Sequence, residues 1–390
     1  MNSPDSLQPE MERWRTRALL VGLVALALCV AGGFRNPAQF YHSYLLAFVF
    51  WIGVPLGCTA ILMLHHLVGG TWGFPLRRLL ESGSRTFYLM AVLLIPILFG
   101  LPLLYSWADP NKVKLDPLLQ YKHPYLNVPF FITRMVIYFI AWMALAYFLN
   151  KWSSQQDRTA EAGLTKKLQT LSGPGLVIFG LTVTYASVDL VMSLEPHWFS
   201  TIYGMIFMVT EALAAMSIVT IGVVLLSNRQ PLSELVTPRT LNDYGNLLLT
   251  FTMLWAYLSF SQYLIIWAGN LQDEIPWYVS RSEGAWAWVA LALIVFHFGV
   301  PFLLLLSRFM KRKREMLAGI AVGLFVMSII DIFWLTVPAY EKQGPQFQWM
   351  DWVAIIGIGG LWTWRFLAQL RGKPLLPLHD PRLEKIVQHG

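Results

Sequence analysis

The residues most able to do chemistry in this chain are ionisable side chains set inside long apolar runs. Counted from the run ends at about 1.5 Å per residue, Glu211 and His297 fall near the middle of theirs. Arg134, Asp189, Gln262 and Asp331 fall toward one end, His65 and His66 close to the other, and Glu195 and His197 in a short turn between two runs. At membrane depth such groups cost several kcal/mol and face a bundle interior or a pathway. Ordered by depth they form a ladder. Carboxylates and imidazoles in a low dielectric exchange protons with water chains or with a quinol hydroxyl, so the chemistry expected is proton handling.

Each rung also has a plainer reading. Arg134 and Asp189, at similar depth on consecutive runs, can form an ion pair that only fixes helix register. His297 can be a hydrogen-bonded packing residue, and His65 and His66 sit where snorkelling toward an interface is cheap. Glu211 is the rung with no opposite charge at its depth. A b-type haem needs two histidines from different helices at one depth. His65 and His66 differ from His297 by roughly 12 Å or more on the rise count. Cys29 and Cys58 lie inside apolar runs and no CxxCH occurs, so neither a disulfide framework, a zinc or Fe–S ligand set nor covalent haem c is expected, and the chain is expected to carry no redox centre of its own.

The elements that position these groups follow from composition. Of 390 residues, 56% are hydrophobic and only 13% charged, against roughly 25% charged in ordinary globular domains. The fold class expected is an all-α integral membrane protein. Apolar blocks of spanning length run over Ala18–Gly33, Tyr44–Val68, Thr86–Trp107, Asn127–Leu149 and Gly175–Leu194. The second five are Thr201–Ser227, Gly245–Ala268, Ala285–Ser307, Met316–Val337 and Trp352–Leu367, which makes about ten spans.

Charge placement tests that count. With the N-terminus inside, 22 of the 29 Lys and Arg fall on the inner side and six outside. The alternation fits the positive-inside rule. A single polytopic membrane domain is expected, with cytoplasmic tails over 1–17 and 371–390 and a membrane region over 18–370. Arg77, Arg78 and Arg85 read as loop charges, and Lys311–Arg314 as a topology anchor. Arg13, Arg15 and Arg17 before an apolar run suggest a retained first helix, since no small-x-small cleavage site follows. The net charge of +7 does not indicate nucleic acid, because the cations sit between apolar blocks and form no binding face. Trp72, Trp107, Trp198, Trp267, Trp277 and Trp352, at span ends, read mostly as interfacial anchors.

Three blocks go beyond composition: Ser43–Gly73, ending HHLVGGTWG; DLVMSLEPHWFSTIYG from Asp189; and FSQYLIIWAGNLQDEIPWY from Phe260. Gly69 and Gly70 allow a close exit from the second span, and Pro196 and Pro276 are expected to break helices. Together the blocks resemble the NrfD-like (polysulfide reductase membrane subunit) superfamily, and within it the ActF-type subunits of alternative complex III. The resemblance covers nearly the whole chain. It implies two four-helix bundles, spans 2–5 and 6–9, plus two peripheral helices. It also implies a quinol:cytochrome c oxidoreductase assembly in a bacterial inner membrane, with an ActC-like subunit, an Fe–S subunit and multihaem and monohaem cytochrome c subunits as partners. On matching positions Asp189, Glu195, His197, His65 and His66 would handle quinol or transmembrane protons. Rival expectations are a membrane anchor of another Fe–S or molybdopterin oxidoreductase of the same superfamily, a secondary transporter with an ion site near Glu211 and His297, and a structural scaffold.

Overall fold

The computed structural model describes residues 8–159, 161, 163–342, 344–346, 348–377 and 379–383. The outermost stretches of both expected tails lie outside the described residues. Ten helical segments are long and apolar enough to cross a membrane, and no strand occurs among the described residues. The chain is an all-α, multi-pass membrane protein.

The spans are α1 (Gln8–Gly33), α2 (Pro37–Val68), the broken pair α3 (Gly73–Ser84) and α4 (Phe87–Phe99), then a short α5 (Leu101–Leu104). Two short helices, α6 (Pro110–Leu115) and α7 (Pro117–Lys122), lead into α8 (Val128–Thr159) and α9 (Gly163–Leu190). The second half holds α10 (Tyr203–Leu226), the short α11 (Leu232–Leu235), α12 (Pro238–Gly269) and α13 (Ile275–Ser282). It continues with α14 (Trp286–Ala292), a π-helical stretch Leu293–Gly299, α15 (Val300–Leu306), α16 (Arg308–Arg312), α17 (Arg314–Thr336) and α18 (Trp349–Leu370).

α2, α4, α8 and α9 close one ring, and α10, α12, α14–α15 and α17 close a second. The rings share a seam where α2 lies along α10. α1 and α18 pair outside them, with α18 against α2. Their approach depends on small residues, as tight helix pairs in lipid do: a Cβ on Gly360 would lie 2.5 Å from the Gly22 Cα. α1 and α18 run antiparallel, with Glu12 3.1 Å from Arg371, so the start of α1 and the end of α18 lie at one end of the molecule.

α2 is the axis of the fold, with 94% of its most apolar stretch buried. Asn36 caps its start by accepting from the Gln39 amide at 3.2 Å, which satisfies one orphan donor of the first turn. α2 is clamped to α18 by Ser43 Oγ donating to Asp351 Oδ1 at 2.5 Å and by Trp51 Nε1 donating to the Ile355 carbonyl at 2.8 Å.

Several expectations are corrected. The third span starts with α3, so Arg77 and Arg78 are buried helix residues rather than loop charges. Lys311 is also buried, its Nζ donating to Asn246 Oδ1 at 2.7 Å, which makes it a packing residue and not a free anchor. Trp107, Trp198 and Trp277 are buried among protein side chains rather than facing an interface. Pro276 opens α13 instead of breaking a helix, because the first helical turn needs no N–H at that place.

Candidate functional site

The expected ladder is distributed over three levels. At the end that carries the start of α1 and the end of α18, Gly69 (φ 73°) and Gly70 (φ 95°) end α2 in the left-handed region, which glycine enters without steric cost. The chain folds back so tightly that a Cβ on Gly73 would lie 1.8 Å from His65 Nδ1. Trp72 and Phe74 meet that imidazole edge-on, at 5.3 and 5.5 Å between ring centres. His65 and His66 are wholly buried, and none of their four ring nitrogens makes a hydrogen bond. The snorkelling expectation is therefore corrected: both rings are buried, and Gly73 and Phe74 of α3 close over that of His65.

The charges closest to these histidines belong to α3 and its partners. Arg77 donates to Glu81 Oε1 (3.0 Å), Asp380 Oδ2 (2.8 Å), Ser153 Oγ (2.9 Å) and Gln156 Oε1 (3.1 Å). Arg78 donates to Glu81 Oε2 at 2.7 Å and to Asp157 Oδ1 at 2.5 Å. Buried ions survive only when paired and fully bonded in this way. Burial pushes the Asp380 carboxyl up, but Arg382 and Arg77 outweigh it and hold the group below the usual carboxylate range. Sequence reasoning missed this cluster. The i,i+4 and i,i+3 spacing of Arg77 and Arg78 to Glu81 was the available signal.

At mid-depth Glu211 lies on the seam. It packs against two glycines of α2, where a Cβ on Gly53 would sit 3.0 Å from Glu211 Cγ and one on Gly57 only 2.2 Å from its carbonyl oxygen. Both carboxyl oxygens are buried and have no hydrogen-bond partner. Removing an unpaired carboxylate from water is costly, and no neighbouring donor offsets that cost at Glu211.

The adjacent residue turns about 100° around α10 and faces the second ring. Thr210 Oγ1 donates to Asp331 Oδ2 at 2.8 Å, and Trp255 Nε1 donates to the same oxygen at 3.0 Å. The Trp255 ring lies 4.4 Å from the His297 imidazole. His297 sits inside the π-helical stretch, whose Val300 N–H reaches back five residues to the Val295 carbonyl. Pro301, with no N–H, cannot bond the His297 carbonyl and so favours the irregularity. Such π-bulges concentrate at functional sites.

At the far end the groups are saturated. Arg134 grips Asp189 through Nε (2.9 Å) and Nη2 (2.8 Å), while Tyr138 donates to Asp189 at 3.0 Å. The guanidinium also lies 3.9 Å from the Tyr125 ring centre. This is the register-fixing pair. Glu195 accepts from the fully buried Arg281 at 2.6 Å, and Arg281 lies 3.9 Å from the Trp277 ring, which stacks on Trp198 at 4.4 Å. His197 is mostly exposed and meets Asp116 at 2.8 Å, away from the bundle interior.

Thus Asp331, Thr210, Trp255 and His297 form one connected group with Glu211 next to it in sequence. Asp189 with Arg134, Glu195 with Arg281, and the His65–His66 pair stand apart. No hydrogen bond joins Glu211 to Asp331 or His297. Among the described residues no three His, Cys, Asp or Glu side chains converge as a metal ligand set. Comparison with protein-family models and with curated proteins finds no match to this chain.

Proposed function

We propose that the chain is an integral membrane subunit of a respiratory quinol:cytochrome c oxidoreductase of the alternative complex III type. In this reading it serves quinol binding or proton conduction, while partner Fe–S and cytochrome c subunits in a bacterial inner membrane carry the electrons. The observation that carries the reading is Glu211, an unpaired, fully buried carboxyl at the seam of two helical rings. The three motif blocks, present in order on a ten-span chain, supply the family context.

In this reading a proton reaches Glu211 from the Asp331 group and leaves toward His66 and His65, or travels the other way. Asp331 is held by two donors and exchanges with water from the far end. Glu211 alternates between its neutral and briefly charged forms, and the unbonded ring nitrogens of His66 and His65 receive the proton. Asp189 and Arg134 keep α8 and α9 in register.

A transporter is less well supported. Transporters of the inverted- or parallel-repeat kind break corresponding helices in both halves. Here the breaks fall in the second span of one ring, between α3 and α4, and in the third span of the other, at the π-helical stretch.

The test is Glu211→Gln, which keeps the shape of the side chain and removes the proton. The tagged full chain is purified in mild detergent with its co-purifying subunits, and quinol-driven cytochrome c reduction and proton release are measured in proteoliposomes. Proton coupling is expected to fall at least tenfold with the complex still assembled. A chain that purifies alone, or a variant with unchanged coupling, overturns the proposal.

A further inference from the structure

Four cations buried at helix contacts, Arg77, Arg78, Arg134 and Arg281, each meet a carboxylate, and buried Lys311 is held by the Asn246 amide. Nearer the surface, one group of cations gathers with no carboxylate beside it. Arg85, Lys151 and Arg365 converge from three helical regions on a recess of about 230 Å³ between the α3–α4 junction, α8 and α18. The recess has no acidic lining residue, and none of the three cations forms an ion pair among the described residues.

What holds the cations is neutral. Arg85 Nε donates to Asn150 Oδ1 at 2.6 Å and Nη2 to Ser154 Oγ at 3.2 Å. With the Gln369 amide turned so that its oxygen faces the guanidinium, Arg365 Nη2 donates to it at 2.9 Å. The side chains are thus aimed while their charge is left uncompensated. Uncompensated positive charge gathered by neutral hydrogen bonds suits a bound anion, and guanidinium groups suit the oxygens of a phosphate.

The surroundings identify which phosphate. Tyr88 and Tyr147 flank the recess, each about half exposed, as tyrosines at a membrane–water boundary are. One turn deeper on α4 is Val92, and two turns deeper on α8 is Ile140, both 59% exposed. A continuous apolar track therefore runs from the recess toward the membrane centre. A free phosphate has no use for such a track, whereas acyl chains do.

We propose that this recess binds the headgroup phosphate of an anionic phospholipid, with its acyl chains lying along α4 and α8. The site is independent of the proton-handling reading. Basic recesses between spanning helices are the form that such recognition takes.

The probe is dioleoyl phosphatidylglycerol, titrated into the purified full chain in neutral detergent and followed by native mass spectrometry. Neutralising one cation at an anionic lipid contact weakens binding about fivefold, so Lys151→Gln should lose about fivefold and Lys151→Gln with Arg365→Gln about thirtyfold. Among the described residues Lys151 makes no hydrogen bond and only lies 5.5 Å from the Tyr147 ring centre, so its substitution should leave the melting temperature without lipid in place. Arg239→Gln, an equal loss of charge on an exposed part of α12, should change nothing. Equal losses in Arg239→Gln and Lys151→Gln would mean unspecific charge attraction and would overturn the site. Displacement of the lipid by millimolar inorganic phosphate would overturn its assignment to a lipid.

Discussion

The seam between the two rings can be tested through one methyl group. Placed on Gly57, a Cβ would lie 2.2 Å from the Glu211 carbonyl oxygen and 2.6 Å from the Ala215 Cβ. Comfortable contact begins near 3.5 Å, so α10 would have to retreat by about 1 Å along the line where it meets α2. Both obstacles belong to the helix backbone or to a rigid Cβ, and neither can swing aside. Overpacking of this kind costs about 1–3 kcal/mol, while the gain in helix propensity from Gly to Ala returns only about 0.5–1 kcal/mol. Gly57→Ala should therefore lose about 1–2 kcal/mol in a detergent unfolding titration. Gly173→Ala is the matched control, since a Cβ there meets nothing within 4 Å; it keeps the propensity gain and should be neutral or more stable. If Gly57→Ala unfolds no earlier than Gly173→Ala, α2 and α10 are not packed at this distance and the environment described for Glu211 is wrong.

Two more outcomes follow from the charged groups. Asp189→Asn leaves Arg134 buried without a counter-ion and should cost about 3–5 kcal/mol; Arg134→Met with Asp189→Leu should recover most of it, and additive losses in that cycle would refute the pair. Asp380 is held below the ordinary carboxylate range by Arg382 and Arg77 despite its burial, so its stabilisation of the tail is complete above about pH 4 and lost as pH falls below that range. Protease access to residues 373–377 should accordingly open on acidification, and Asp380→Asn should abolish the step; a tail that tightens on acidification contradicts the assignment.

The ten spans were legible because apolar length is a local property: the Tyr44–Val68 and Met316–Val337 blocks announce themselves without reference to any other part of the chain. The isolation of Glu211 was also legible, from the lack of an opposite charge at its depth. Partners far apart in sequence were not. Asp380, one of the two carboxylates that hold Arg77, stands 303 residues away, and Glu195 stands 86 residues from its partner Arg281. The π-helical stretch around His297 escaped because apolar periodicity barely distinguishes seven π-helical residues from α-helix. Pro301 was its one visible sign. Trp198 and Trp277 were misread for a related reason: a tryptophan at the end of a span can stack on another as readily as on lipid, and only the fold decides between them.

The clasp between α18 and α2 has a consequence for biogenesis. α2 leaves the ribosome early, yet its Ser43 hydroxyl and Trp51 indole N–H donate to α18, which is made much later. About 300 residues separate them, which at translation rates is roughly 15–60 s. Throughout that interval the most central helix of the protein must wait in the bilayer with a hydroxyl proton and an indole N–H that lack their acceptors on α18. A nascent chain cut short before residue 349 would lack those acceptors permanently, and so would carry a built-in mark of incompleteness for the quality-control proteases of the membrane.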